Sequence, residues 1–277
     1  MGGLAKKLLI ANTLAVPADQ IFALSAQQLS TVDAWIGIVC YTLQIYFDFS
    51  GYSDMAVGLG KMFGFTFMEN FQFPYIAQSV RDFWRRWHIS LSTWFRDYLY
   101  VPLGGNRLSV GRTHLNLLMV FLLCGLWHGA SLTFVAWGLY HGVFLVLERT
   151  RFGKWQEKLP QSLRHLYMLL VVMMGWVLFR AENFSSGANY FLALVGLNSA
   201  PDAQPYLQYT TNQVIAAALF GILLCGPMWD KIKGACRKLE QATPIRLRPS
   251  LQVAGLDRKS TRLNSSHSRA SRMPSSA

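Results

Sequence analysis

An all-α, multi-pass transmembrane helical bundle with one interfacial amphipathic helix is the fold class this sequence predicts, and three observations predict it. Charged residues make up only 14% of the 277-residue chain and aromatic residues another 14%, whereas about a quarter of an ordinary soluble domain is charged. Apolar residues gather into long runs instead of alternating with polar ones, a pattern that suits lipid. The segment Ser79 to Tyr100 also repeats aromatic and basic residues at helical spacing.

Taken in order, the opening Met1-Gly-Gly-Leu-Ala-Lys-Lys precedes a brief apolar stretch broken by Asn12 and Pro17. It lacks the organisation of a signal peptide and reads as an internal loop. Ala34 to Leu59 is the first candidate span, interrupted by Asp48 and Asp54. These acids lie six positions apart, about 240° around a helix, so they do not easily share one proton. Helix packing suits them better: Ala56, Gly60 and Gly64 permit close backbone approach while the acids bond to neighbouring segments.

Within Ser79 to Tyr100, Trp84, Trp87, Leu91, Trp94 and Tyr98 recur at steps of three and four, and Arg81, Arg85, His88, Ser92 and Arg96 form a second stripe. One continuous interfacial helix is expected, with Trp rings at headgroup depth and guanidinium groups toward water or phosphate. Lipid anchoring explains most of these residues. The sharper reading assigns Arg81, Arg85, Arg86 and Arg96 to the phosphates of an acyl donor such as acetyl-CoA, since guanidinium suits phosphate. His88, among these arginines, either assists catalysis or simply hydrogen-bonds.

No Asp, Glu, Lys or Arg occurs from Thr113 to Leu147, a run long enough at about 1.5 Å per residue to cross a ~30 Å hydrocarbon layer more than once. Basic flanks on both sides require it to enter and return, with His128-Gly129 near the bend. A titratable ring inside such a run, in Gly125-Leu-Trp-His-Gly-Ala-Ser131, is a functional candidate by default. Held uncharged there, His128 can take a hydroxyl proton as that oxygen attacks an acyl carbonyl, general-base help worth about 10² to 10⁴ in rate. Gly125 and Gly129 leave room for substrate or backbone. A histidine merely hydrogen-bonded between helices is the competing account. His141 lies thirteen residues further on, about 220° around a helix, and is expected to pack structurally. Leu166 to Phe179 and Gln213 to Trp229 are further candidate spans once extended into their flanks.

The net charge of +12 does not mark a nucleic-acid binder, because half of it is terminal and the remainder sits in short loops beside apolar runs. Basic loops at Arg81 to Arg112, Arg149 to Arg164 and Lys231 to Lys238 are expected inside, and Ala181 to Asn212, which holds Glu182 and Asp202 without Lys or Arg, outside. Cys40, Cys124, Cys225 and Cys236 form no C-x-x-C pair, and three lie in apolar runs, so neither disulfide nor metal is expected. No phosphate-cradling glycine loop or nucleophilic-serine elbow occurs. Two regions follow: residues 1–245 as the membrane catalytic region, and 246–277 as a basic, disordered tail whose composition from about residue 257 looks foreign.

Several stretches together carry a resemblance: Tyr46-Phe-Asp-Phe-Ser-Gly-Tyr-Ser-Asp-Met55, Asn70-Phe-Gln-Phe-Pro-Tyr75, Phe83-Trp-Arg-Arg-Trp-His-Ile-Ser-Leu-Ser-Thr-Trp-Phe-Arg-Asp-Tyr98, Pro102-Leu-Gly-Gly-Asn-Arg107 and Gly125-Leu-Trp-His-Gly129. From about Gly3 to Pro244 the chain resembles the membrane-bound O-acyltransferase family, in the branch that O-acetylates alginate. The resemblance implies a multi-pass inner-membrane enzyme with no tightly bound cofactor. It would take acetyl from a cytoplasmic donor, acetyl-CoA or a carrier thioester, and pass it toward an exported polysaccharide with extracytoplasmic acetyltransferase subunits as partners. The family's buried catalytic histidine falls on His128 and its second recurrent histidine on His88. Family members carry several helices before the position of Gly3, so the chain looks N-terminally incomplete and is expected to be inactive alone.

Two other acyl transfers, of D-alanine to teichoic acid or onto peptidoglycan, remain open alternatives. A polymer exporter is the rival from another class, since intramembrane polar residues also mark transport paths. A noncatalytic scaffold is the third.

Overall fold

A computed structural model describes residues 2–203 and 208–227. The chain divides into two units, Met1–Gly226 and Pro227–Ala277, and the architecture below is that of the first. Among the described residues every regular element is helical. The foreseen tail from residue 246, the Lys231 to Lys238 loop and Cys236 all lie outside the described residues.

The N-terminal stretch corrects the loop expectation. α1 (Gly2–Ala5), a π-helical stretch (Lys6–Ala11) and α2 (Asn12–Phe22) follow one another without leaving helical φ and ψ. Ile10, Ala11, Leu14, Ala18 and Ile21 are buried, and their steps of one, three and four make a single apolar face. Asn12 and Pro17 interrupt the apolar run but not that face.

α3 (Thr31–Met62) is 32 residues long, about 48 Å at 1.5 Å per residue. Ser30 starts it by accepting the Asp33 N–H. The first helices cross α3 at glycines: a Cβ on Gly51 would stand 2.7 Å from the Gly3 carbonyl oxygen. Beside this crossing Lys6 meets Asp54 at 2.8 Å, and Lys7 pairs with Asp48. The acids therefore serve packing as expected, but as half-exposed ion pairs. Close approach is not at Gly60 or Gly64. A Cβ on Gly60 would meet only the Phe67 ring just downstream, and Gly64 lies past the helix at φ +81°, where it turns the chain.

The single interfacial helix is also corrected. α4 (Val80–Arg86) and α5 (Ile89–Phe95) are separate, and Arg96–Tyr100 is π-helical. The break falls at Trp87 and His88, where His88 takes φ 45°, ψ 55°, a left-handed conformation in which histidine is enriched among non-glycine residues. The break turns the two aromatic halves apart. Trp84 and Trp87 are buried in the core, while Trp94 and Tyr98 stay exposed.

α6 (Val110–His128) and α7 (Leu132–Leu147) form the foreseen hairpin, with His128-Gly129 at its bend. α8 (Arg151–Gln156) is short, and α9 (Gln161–Arg180) packs on α7 and α3. α10 (Phe184–Leu194) and α11 (Asn212–Leu224) pack on α3. Among the described residues two helices, α6 and α9, are long and apolar enough to cross a membrane; α7 and α11 are apolar but shorter. Only 33% of each apolar window in α6 and α9 is buried, so most of that surface faces outward, unlike a soluble core helix.

Candidate functional site

His128 is placed by the hairpin. Gly125 and Gly138 bring the two backbones together, for a Cβ on Gly125 would lie 3.1 Å from the Phe134 carbonyl carbon and 3.2 Å from Val135 Cα. Gly125 thus admits backbone, the second of the two uses foreseen for it. One turn on, the rings of Trp127 (4.9 Å between centroids), Trp137 (4.9 Å) and Phe179 (5.5 Å) surround His128 edge to face. Its Nδ1 lies 2.7 Å from the Cys124 carbonyl oxygen. A carbonyl only accepts, so Nδ1 carries the hydrogen and Nε2 keeps its lone pair.

His88 arrives at the same place from the α4–α5 break. Trp127 touches both imidazoles, its centroid 6.5 Å from that of His88. Phe49 packs edge-on to His88 at 4.7 Å. Burial, and second the repulsion His128 would exert once both rings were protonated, pushes the His88 imidazole down to about 4, so it is uncharged at neutral pH.

A clamp that sequence reasoning left without a task holds this turn. Asn70 takes the Ile89 N–H on its carbonyl at 3.0 Å, and the Ser90 N–H (3.1 Å) and hydroxyl (2.6 Å) on its side chain. Its amide donates to the Ser53 hydroxyl of α3 at 3.2 Å, and the Gln72 N–H bonds the Arg86 carbonyl at 3.0 Å. The stretch Asn70 to Tyr75 was visible as a motif, and its work is to pin a strained backbone.

The four arginines assigned to a donor do not form one free stripe. Arg86 bonds Asp82 at 2.9 Å and Arg96 bonds Asp97 at 2.7 Å. Arg85 is exposed. Arg81 turns the other way, donating to the Glu148 carbonyl oxygen at 3.1 Å. The helix break sets only Arg96 apart; within α4 the scatter comes from separate partners, Glu148 for Arg81 and Asp82 for Arg86.

Glu148 was missed. This buried carboxylate closes α7 and accepts the Val80 N–H at 2.6 Å and the Arg81 N–H at 2.9 Å, so it caps α4 from another helix. Burial raises its pKa, and those N–H bonds oppose the rise. Its only signal in the sequence was being the first charge after a long uncharged run. His141 is fully buried against Trp84, Trp137 and Tyr140, the packing role foreseen for it. Among the described residues no three His, Cys, Asp or Glu side chains gather as metal ligands would.

Comparison with known proteins adds to this geometry. The family model of the membrane-bound O-acyltransferases matches residues 6–188. A probable alginate O-acetylase of Azotobacter vinelandii is 55% identical over 194 residues, 70% of this chain and 38% of that protein. One of Pseudomonas putida is 54% identical over 259 residues, 93% of this chain and 53% of its own length. A peptidoglycan O-acetyltransferase of Helicobacter pylori is 45% identical over 201 residues, 71% of the chain and 38% of that protein. The chain thus spans about half or less of the length of these relatives.

Proposed function

Because the chain belongs to the membrane-bound O-acyltransferase family, we propose that it is the His-bearing part of a multi-pass inner-membrane enzyme that moves acetyl from a cytoplasmic thioester toward hydroxyls of an exported, alginate-like polysaccharide. One observation carries the reading: His128 sits at the bend of a glycine-crossed apolar hairpin with its Nδ1–H on the Cys124 carbonyl at 2.7 Å, which leaves Nε2 as the base.

In the proposed step an acceptor oxygen attacks the thioester carbonyl while Nε2 of His128 takes the hydroxyl proton. The carbon–sulfur bond then breaks, and the proton passes from the imidazolium to the departing thiolate, yielding ester and thiol. The ring cage of Trp127, Trp137 and Phe179 fixes the imidazole's orientation without adding charge, which is what a base confined to one substrate oxygen requires. His88, uncharged at neutral pH, serves as a second polar contact for the reacting groups. Separate extracytoplasmic subunits would complete transfer to the polymer, as the alginate-type resemblance implies.

His128→Ala in cells that depend on this protein tests the reading. Polymer acetylation should fall by about 10² to 10⁴ while polymer is still exported. Loss of export with acetylation intact would instead make the protein a transporter, and unchanged acetylation would make it a scaffold. Acyl analysis of the product as O-acetyl or D-alanyl ester decides between the two transfer chemistries.

A further inference from the structure

Away from His128, the start of α4, the end of α7, α8 and the start of α9 enclose a cavity of about 130 Å³, roughly ten times what one ordered water needs. Its lining is polar and includes Ser79, Arg81, Glu148, Gln156, Glu157 and Arg164. The walls are tied together: Gln156, itself buried, donates to the Gln78 carbonyl at 3.2 Å, and His165 bonds the Ala77 carbonyl at 3.0 Å.

Two guanidinium groups from different helices meet in this cavity, and the Nε–H of each is buried without a hydrogen-bond partner among the described residues. A buried donor left unpaired is strongly disfavoured, so two in one polar cavity point to an acceptor that bridges them. The acidic residues do not fill that part. Glu148 is already engaged by the Val80 and Arg81 N–H groups, and Glu157 is exposed at the rim. Arg149, Arg151 and Lys154, next in sequence to the lining residues Glu148 and Gly153, are all exposed and make this stretch of the surface basic. Exposed Trp155, Leu163 and Leu166 sit where α7 ends and α9 begins, composition suited to headgroup depth.

We propose that this cavity binds a phosphate group through Arg81 and Arg164, the phosphate being that of an anionic lipid headgroup or of a soluble phosphate-bearing molecule. Fork-shaped guanidinium donors on two helices match the spread of phosphate oxygens in a way that surface lysines do not. Occupation would tie α4 to α9, and α4 leads directly into the His88 turn. The site does not depend on the acyl-transfer reading, because the test reads binding and not catalysis.

In that test the full chain, purified in zwitterionic detergent, is titrated with inorganic pyrophosphate while thermal unfolding is followed. The same measurement is made in phosphatidylcholine vesicles with and without phosphatidylglycerol. Stabilisation in at least one arm is expected; phosphatidylglycerol alone identifies a lipid site and pyrophosphate alone a soluble one. The Arg81→Gln/Arg164→Gln double variant should need at least about tenfold more ligand, and Arg112→Gln, exposed at the start of α6 and outside the lining, should titrate like wild type. Should the double variant not fold, arginine modification by phenylglyoxal, mapped by mass spectrometry on wild type, replaces it, with ligand protecting Arg81 and Arg164 but not Arg112. Absence of stabilisation in both arms, equal titration of the double variant, or unprotected Arg81 and Arg164 would each overturn the proposal.

Discussion

Adding one methyl group at Gly125 is expected to damage the protein far more than its size suggests. The new Cβ would stand 3.1 Å from the Phe134 carbonyl carbon and 3.2 Å from Val135 Cα, and closer still to the Phe134 oxygen, where ordinary contact begins at 3.4 Å. All three atoms are backbone, so no rotamer change relieves the overlap. Either the hairpin opens or α6 slides, and overpacking of this kind typically destabilises by about 1–3 kcal/mol. His128 lies one turn further along α6, bonded to the Cys124 carbonyl, so the same shift moves the proposed base; a displacement of about 1 Å can lower rate about 10²-fold. Gly58→Ala is the control. That glycine is also inside a helix, yet nothing lies within 4 Å of its Cβ position, so alanine should stabilise by about 0.5–1 kcal/mol. Thermal unfolding in detergent and polymer acetylation in cells measure both effects. Equal behaviour of the two variants would refute the idea that the glycine crossing positions His128.

Two further outcomes follow from the groups around α4. Glu148→Ala strands the N–H of fully buried Val80 together with that of Arg81, and should lower unfolding stability by about 2–4 kcal/mol, whereas exposed Glu157→Ala should stay within about 0.5 kcal/mol. His88 is held down to about 4 from an ordinary 6.5, so on acidification the unfolded chain takes up a proton before the folded one does. Stability contributed by His88 is therefore complete above about pH 6.5 and is lost as pH falls toward 4. Unfolding measured across that range should show a slope smaller by up to one proton in His88→Gln, and an unchanged slope would show that His88 does not contribute to it.

The hairpin was legible because its cause is local: a long run without charge between basic flanks can only enter and return, and Gly125-Leu-Trp-His-Gly129 marked the bend. α9 was legible from its apolar run, Leu166 to Phe179, once extended into its flanks. The helix across Asn12 and Pro17 is masked in the sequence because those two residues break the apolar run, while the face formed by Ile10, Leu14, Ala18 and Ile21 shows only at steps of three and four. The Ser79 to Tyr100 segment misled more instructively. Its periodicity is real on either side of residue 87, so counting steps of three and four continues smoothly through a break that propensity does not announce. What enforces the break lies elsewhere in the chain, in Asn70 bonding Ile89 and Ser90 and in Glu148 fixing the first turn of α4. Non-local bonds of this sort override a local period, and here they do so where His88 must leave the helix axis to reach Trp127 and His128. A helix uninterrupted at that point would carry Arg81, Arg85, His88 and Arg96 on one face and keep the second imidazole in their row. The irregular backbone is thus the feature that takes His88 out of the basic row and brings it to the Trp127 ring that also packs on His128.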